Sequence, residues 1–205
     1  MERPLLAFSS TCFSINKMAK GKRIREENVF HGIGFEIENT KTERDDGSVV
    51  PWQLIHYYGC SCVLAINEKE EVLIEANFRY PYCKEILEIP AGEKEEGETW
   101  LDAAKRELKE ETGYVGEEWS DLGIIYPSVG SSDEVRHLFL ARKLKKEETH
   151  LDAEERITCS FIPREQILKL IQNGQLPDAK TQSAIFNYLL KHREKYRDVT
   201  NTREG

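Results

Sequence analysis

Gly92 opens the run GEKEEGETWLDAAKRELKEETGY, in which Gly92, Glu98, Arg106, Glu107, Leu108, Glu110, Glu111, Gly113 and Tyr114 recur at fixed intervals. Those intervals are G-x5-E-x7-R-E-U-x-E-E-x-G-U, where U is a bulky apolar residue. At ordinary residue frequencies, with Glu doubled for an acidic chain, these positions coincide by chance in only about one chain in a million. The run therefore dictates both a local structure and a chemistry.

Thr99 suits a helix N-cap, with Asp102 three residues on in the manner of a capping box. A helix is expected from there to about Thr112, stopped by Gly113 in the left-handed cap position. At about 100 degrees per residue, Leu101, Ala104 and Leu108 form one apolar stripe that can pack on a sheet. Glu107 and Glu111 lie beside that stripe, one turn apart, and Glu110 lies further round. Crowded carboxylates repel each other unless a cation sits between them. Oxygen ligands of this kind suit Mg2+, with Mn2+ as a substitute. A solvated acidic helix is the plainer reading, but it leaves the two flanking glycines and the Arg106-Glu107 pair without a purpose.

A chain of 205 residues, 39% hydrophobic and 32% charged, can bury a core and is expected to form one domain with an appendage. Its net charge of -8 argues against nucleic acid or an anionic membrane as partner, since both need a basic face. Cys12, Cys60, Cys62, Cys83 and Cys159 form no paired C-x2-C pattern, so they read as free thiols in a reducing cytoplasm. The first 27 residues read as a flexible extension, with a cleaved leader or a start at Met18 as alternatives.

From 28 to 58, the runs VFHGIGFEIENTK and SVVPWQLIHYY flank a turn at Asp46-Gly47 and read as an antiparallel hairpin. CSCVLAIN and EVLIEANF, broken by EKEE, read as a second hairpin in a central sheet. LGIIY, VRHLFLARKL and ITCSFI follow as strands, then REQILKLIQNG and AKTQSAIFNYLLKHREKY as helices, the first stopped by Gly174. Residues 59–197 thus form the main domain and 198–205 a polar tail. The expected class is α+β, an α/β/α sandwich with a mixed central sheet and an N-terminal antiparallel β-hairpin subdomain.

That architecture and the run from Gly92 to Tyr114 resemble the Nudix hydrolases, whose signature box uses divalent metal to cut a nucleoside diphosphate linked to another group. The resemblance implies metal ligation by Ala91 through its carbonyl and by Glu107 and Glu111, with Glu110 as an additional ligand in some members. It implies a bracing pair in Arg106 and Glu98, with Gly92 and Gly113 as structural members of the box.

Outside the box, the chain looks most similar to the ADP-ribose pyrophosphatases, also called ADP-sugar diphosphatases. NFRYPYCKEILEIPAG resembles that subfamily's lead into the box, which implies Arg79 near the diphosphate and Glu88 at the metal site. YPSVGSSDE resembles its catalytic loop, which implies Glu134 as general base on a mobile segment near Gly130, with Asp133 as the rival. GQLPDAKTQSAIF resembles its C-terminal helix. The N-terminal hairpin resembles its dimerisation domain, which implies a homodimer, Trp52 stacked on adenine and Phe35 completing the sandwich. The implied reaction cleaves ADP-ribose, or a related ADP-sugar, to AMP and ribose 5-phosphate. Another nucleoside diphosphate sugar such as GDP-mannose, or a non-catalytic ADP-ribose sensor, remain open alternatives.

Overall fold

A computed structural model describes residues 20–147 and 157–192. The sequence of elements begins with three antiparallel strands, β1 (Gly21–His31), β2 (Phe35–Arg44) and β3 (Val49–Tyr57), paired in the order β1-β2-β3. The Asp46-Gly47 turn forms as expected: Gly47 adopts φ +81° and the Ser48 amide donates to Asp46 Oδ1 at 2.8 Å. The expected hairpin is nevertheless a three-stranded sheet. VFHGIGFEIENTK is not one strand but parts of two, because Gly34 at φ +77° turns the chain between His31 and Phe35. The first strand also starts at Gly21, inside the expected extension, while residues 1–19, the leader and Met18 alternatives and the polar tail lie outside the described residues.

The main domain holds β4 (Cys60–Ala65), β5 (Glu71–Arg79), β6 (Lys84–Glu88), β7 (Ala91–Glu93), helix α1 (Trp100–Thr112), β8 (Tyr114–Ile125), β9 (Arg136–Lys146), β10 (Ile157–Pro163), and helices α2 (Arg164–Gln172) and α3 (Ala179–Lys191). Two sheets form, ordered β7-β4-β9-β8 and β10-β5-β6. CSCVLAIN and EVLIEANF do not pair as a second hairpin: they touch through one bridge, Ile66 to Val72, and then part into different sheets. β4 runs parallel to β9 and antiparallel to β7, whereas β5 lies between β10 and β6. Both strands are buried on both faces, so each needs two neighbours for its backbone groups, and a short local turn cannot supply them all.

That turn is anchored from outside. Arg142 donates to both carboxylate oxygens of Glu70, at 2.9 and 3.1 Å, and to the Tyr188 hydroxyl on α3 at 2.6 Å. Alternate residues of β4 feed two apolar layers. Val63 and Ala65 pack with Leu73, Ala104 and Leu108 on the α1 side, and Cys62 and Leu64, with Ile66 just past the strand, pack with Ile167, Leu176 and Ile185 on the α2 and α3 side. The sheets are therefore sandwiched between helices, as the sequence predicts.

Helix α1 forms within the expected limits. The Asp102 amide donates to Thr99 Oγ1 at 3.1 Å, and Gly113, at φ +66°, returns its amide to the Lys109 carbonyl at 2.8 Å. A side chain at 113 would be strained in that conformation, so Gly113→Ala is expected to cost about 1 kcal/mol of stability, read as a lower denaturation midpoint in urea with an unchanged slope.

Candidate active site

β7 and α1 bring the acidic residues together, and Gly92 is what lets them approach. A Cβ built at Gly92 would lie 2.0 Å from Glu107 Cδ, inside the volume the carboxylate occupies. Glu111, only 5% exposed, accepts the Ala91 amide at 3.0 Å and so ties the last turn of α1 to the strand before the box. Ala91, Glu107, Glu110 and Glu111, the predicted ligand set, all line one cavity of about 350 Å³.

Arg106 holds this acidic cluster in register. Its Nε and Nη2 grip Glu98 at 2.9 and 3.1 Å, its Nη1 reaches Glu107 at 2.6 Å and Glu110 at 3.0 Å, and Nη2 also donates to the Glu93 carbonyl at 2.8 Å. The bidentate bond to Glu98 is the largest influence raising the Arg106 pKa; burial opposes it, and Glu107 and Glu110 reinforce it. Arg106 and Glu98 are thus an ion pair, and Glu98 further accepts the Glu95 amide at 3.0 Å, closing the loop ahead of α1.

With the carboxylates turned on Arg106 and the Ala91 amide, no three His, Cys, Asp or Glu side chains among the described residues converge closely enough to hold a metal ion. The donor set still fits a hard divalent cation: three carboxylates and a backbone carbonyl share one cavity, and Gly92 leaves room for Glu107 beside the chain. The opposite lining comes from β5, where Asn77 and Arg79, two residues apart, face the same way into the cavity.

Glu88 reaches the cavity only through Arg79. It does not line the cavity but lies 2% exposed between two cations, accepting Arg79 Nε at 2.6 Å and pairing with the buried Lys180 of α3. Lys180, Glu93 and Asn77 are among the residues that sequence reasoning missed. Glu93 lines the cavity at a variable box position, and burial, joined by the charge of Glu134, pushes its pKa up. Lys180 carries no local signal beyond a lysine in an otherwise apolar helix face, since its partner is remote in sequence.

Glu134 does not line the cavity itself: it is bonded to Arg136 at 2.7 Å, close enough for its charge to act on Glu93 of the cavity wall. The rival Asp133 is engaged by the N-terminal sheet: it accepts from Arg23 Nη1 at 2.7 Å and lies 3.0 Å from His56 Nδ1. Ser131 and Asp133 exchange backbone bonds with Ile55, so the loop expected to be mobile is stitched to β3 on one side of Gly130. The same sheet reaches the cavity wall, since a Cβ at Gly34 would lie 2.6 Å from Glu93 Oε1.

Trp52 is 55% exposed on β3, opposite Thr40, whereas Phe35 lies opposite Tyr57 and touches the rings of Phe30 and Tyr57 at 5.8 and 5.9 Å. Thr40 and Phe35 are an odd number of residues apart on β2, hence on opposite faces and separated by about 17 Å. Within one chain, Phe35 therefore cannot complete a sandwich with Trp52, and the expected pairing is corrected on that ground.

The NUDIX domain family matches residues 57–182. The ADP-ribose pyrophosphatase of Bacillus subtilis (strain 168) is 33% identical over 177 residues, which span 85% of this chain and 96% of that one. The methanol dehydrogenase activator of Bacillus methanolicus is 32% identical over 186 residues, 87% of this chain and 100% of that one. A solved structure of an ADP compounds hydrolase has the same fold, with a TM-score of 0.71 at 19% identity, covering 87% of this chain and 95% of that chain.

Gly92→Ala must push Glu107 off its position, and a displacement of that size is expected to lower turnover by about 100-fold. Steady-state kinetics beside circular dichroism will separate this local effect from unfolding.

Proposed function

The chain belongs to the Nudix hydrolase family, and from that premise we propose that it cleaves the diphosphate of ADP-ribose, or a related ADP-sugar, to AMP and ribose 5-phosphate. One observation carries this reading: a single cavity holds the box carboxylates of α1 together with the guanidinium of Arg79, so cation ligands and an anion-binding fork share one space. Similarity to an ADP-ribose pyrophosphatase along 85% of the chain supports the choice of substrate.

In this reading Ala91, Glu107, Glu111 and, as an additional ligand, Glu110 hold Mg2+, for which Mn2+ can substitute. The bound cation supplies positive charge against the diphosphate and acidifies water. Arg79 binds the phosphoryl oxygens through its planar donors. Burial works against its charge, but the hydrogen bond and charge of Glu88 outweigh it, with Glu75 and Glu111 adding, so the guanidinium stays charged. Glu134 takes the proton from the attacking water after leaving Arg136, and Glu107 and Glu111 complete the catalytic set. The spread charge of a transferring phosphoryl group puts most of the rate in positioning and electrostatics rather than in a covalent nucleophile.

Every residue of β1 is exposed, and Ile24, Val29 and Phe30 on it are large apolar side chains at 42%, 49% and 52% exposure. That sheet supports a homodimer formed through the N-terminal strands, in which Trp52 of one protomer stacks on adenine. Four cysteines among the described residues are free thiols, which supports a cytoplasmic location. No helix among the described residues is long and apolar enough to cross a membrane. The likeness to a methanol dehydrogenase activator favours a second reading, regulation of that class of enzyme, which an assay of methanol dehydrogenase with and without this chain decides.

The primary test is phosphate release, coupled to a phosphatase, from ADP-ribose, ADP-glucose, GDP-mannose, NADH and diadenosine polyphosphates with Mg2+. Preference for ADP-ribose is the expected result, and silence across the panel from folded protein would overturn the assignment in favour of a sensor. Glu111→Gln keeps the side-chain volume and an acceptor for the Ala91 amide, so it should leave the melting temperature within a few degrees while turnover falls by about two orders of magnitude or more.

A further inference from the structure

Lys180 is 3% exposed, in the first turn of α3, where an unpaired ammonium would be costly. It is paired on both sides, with Glu88 and with Asp178 at 3.3 Å. Burial pulls its pKa down, but the charges of Asp178 and Glu88 outweigh that, so it stays protonated. The position of Lys180 is itself fixed. Asp178 caps α3 by accepting from the Thr181 amide at 2.9 Å and the Thr181 hydroxyl at 2.6 Å, and Thr181 Oγ1 in turn accepts the amide of Ile89, the residue after Glu88, at 2.9 Å. The start of α3 is thereby locked to the end of β6.

The two oxygens of Glu88 are shared between two cations. Oε2 is taken by Lys180, and Oε1 accepts Arg79 Nε at 2.6 Å. A carboxylate alone with an arginine takes two parallel bonds from the guanidinium fork. Here Lys180 occupies the second oxygen, so Glu88 holds Arg79 by Nε alone. The terminal nitrogens of Arg79 bond to no described residue, and the side chain lines the cavity.

We propose that Lys180 is a positioning residue: by occupying one oxygen of Glu88 it keeps that carboxylate from gripping Arg79 bidentately, and so presents both terminal nitrogens of Arg79 to the diphosphate. The proposal rests on the reading above, in which Arg79 binds the diphosphate. Without Lys180, the freed oxygen of Glu88 captures a terminal nitrogen of Arg79 and withdraws it from the cavity.

The test is a double-mutant cycle read by calorimetric binding of a methylene-bridged, non-hydrolysable ADP-ribose analogue to the full chain with Mg2+. Lys180→Met, which keeps the aliphatic stem, is expected to weaken binding about ten-fold, the worth of one charge-assisted hydrogen bond. In an Arg79→Gln background the same change should have less than about a two-fold effect, within ordinary additivity error. Lys180→Arg, which restores a cation to Glu88, should recover most of the affinity. Equal weakening by Lys180→Met in both backgrounds would overturn the proposal while leaving the functional reading intact. An unmutated chain that does not bind the analogue, or an Arg79→Gln chain that binds it normally, would overturn the functional reading and the proposal with it. Should Lys180→Met fail to fold, Lys180→Met with Glu88→Gln, which leaves no unpaired buried charge, is compared with Glu88→Gln alone: loss of Lys180 should then change binding less than about two-fold, because no carboxylate remains to capture Arg79, and a loss of about ten-fold would overturn the proposal.

Discussion

One guanidinium makes the acidic site tolerable. Glu98, Glu107 and Glu110 all reach Arg106, which also takes the carbonyl of Glu93, so the loop before α1 and the carboxylate face of α1 are fastened to a single cation. Without it, like charges one turn apart would push α1 away from β7, and Glu111 would lose its hold on the Ala91 amide. Gly92 is the steric counterpart of that electrostatic constraint: a charge cluster this close to a strand is possible only where the strand carries no side chain.

Around that centre the rest of the fold acts as a frame with long-range ties. Arg142 with Glu70 and Tyr188 fastens the turn between β4 and β5 to α3, and Asp178 with Thr181 fastens α3 to the residue beside Glu88. The N-terminal sheet is bound in the same manner, through Asp133 to Arg23 and His56 and through the close approach of Gly34 to Glu93. The sheet proposed to form the dimer and the loop that carries Glu134 are thus mechanically continuous, since Asp133 and Glu134 are neighbours in the chain. Of the charged pairs among the described residues, only Lys180 with Glu88 is fully buried, and it is the one most sensitive to loss of a single member.

The candidate site was legible where its signals are local. The intervals from Gly92 to Tyr114 placed Glu107, Glu110 and Glu111 on one helix, and the cavity they line also includes Arg79. The partners of Glu88 were not legible, because the lead into the box gives no indication of which cations its carboxylate faces, and Lys180 stands 92 residues further along. Phe35 and Trp52 lie on facing strands, but register decides which residues share a face, and a continuous register sets them on opposite sides.

By itself the sequence determined the cap of α1 at Thr99, its stop at Gly113, the turn at Gly47 and the end of the helix before Gly174, each closed within a few residues. Hydrogen bonds of that range have one set of partners, which residue type and spacing already name. Only the tertiary structure decided which strands flank β4 and β5, that a third strand from Gly21 joins the N-terminal sheet, and that Glu88 is divided between Arg79 and Lys180. A strand buried on both faces can satisfy its backbone against any other such strand, and a buried carboxylate against any cation. The choice among them is made by the collective packing of the core rather than by local pattern.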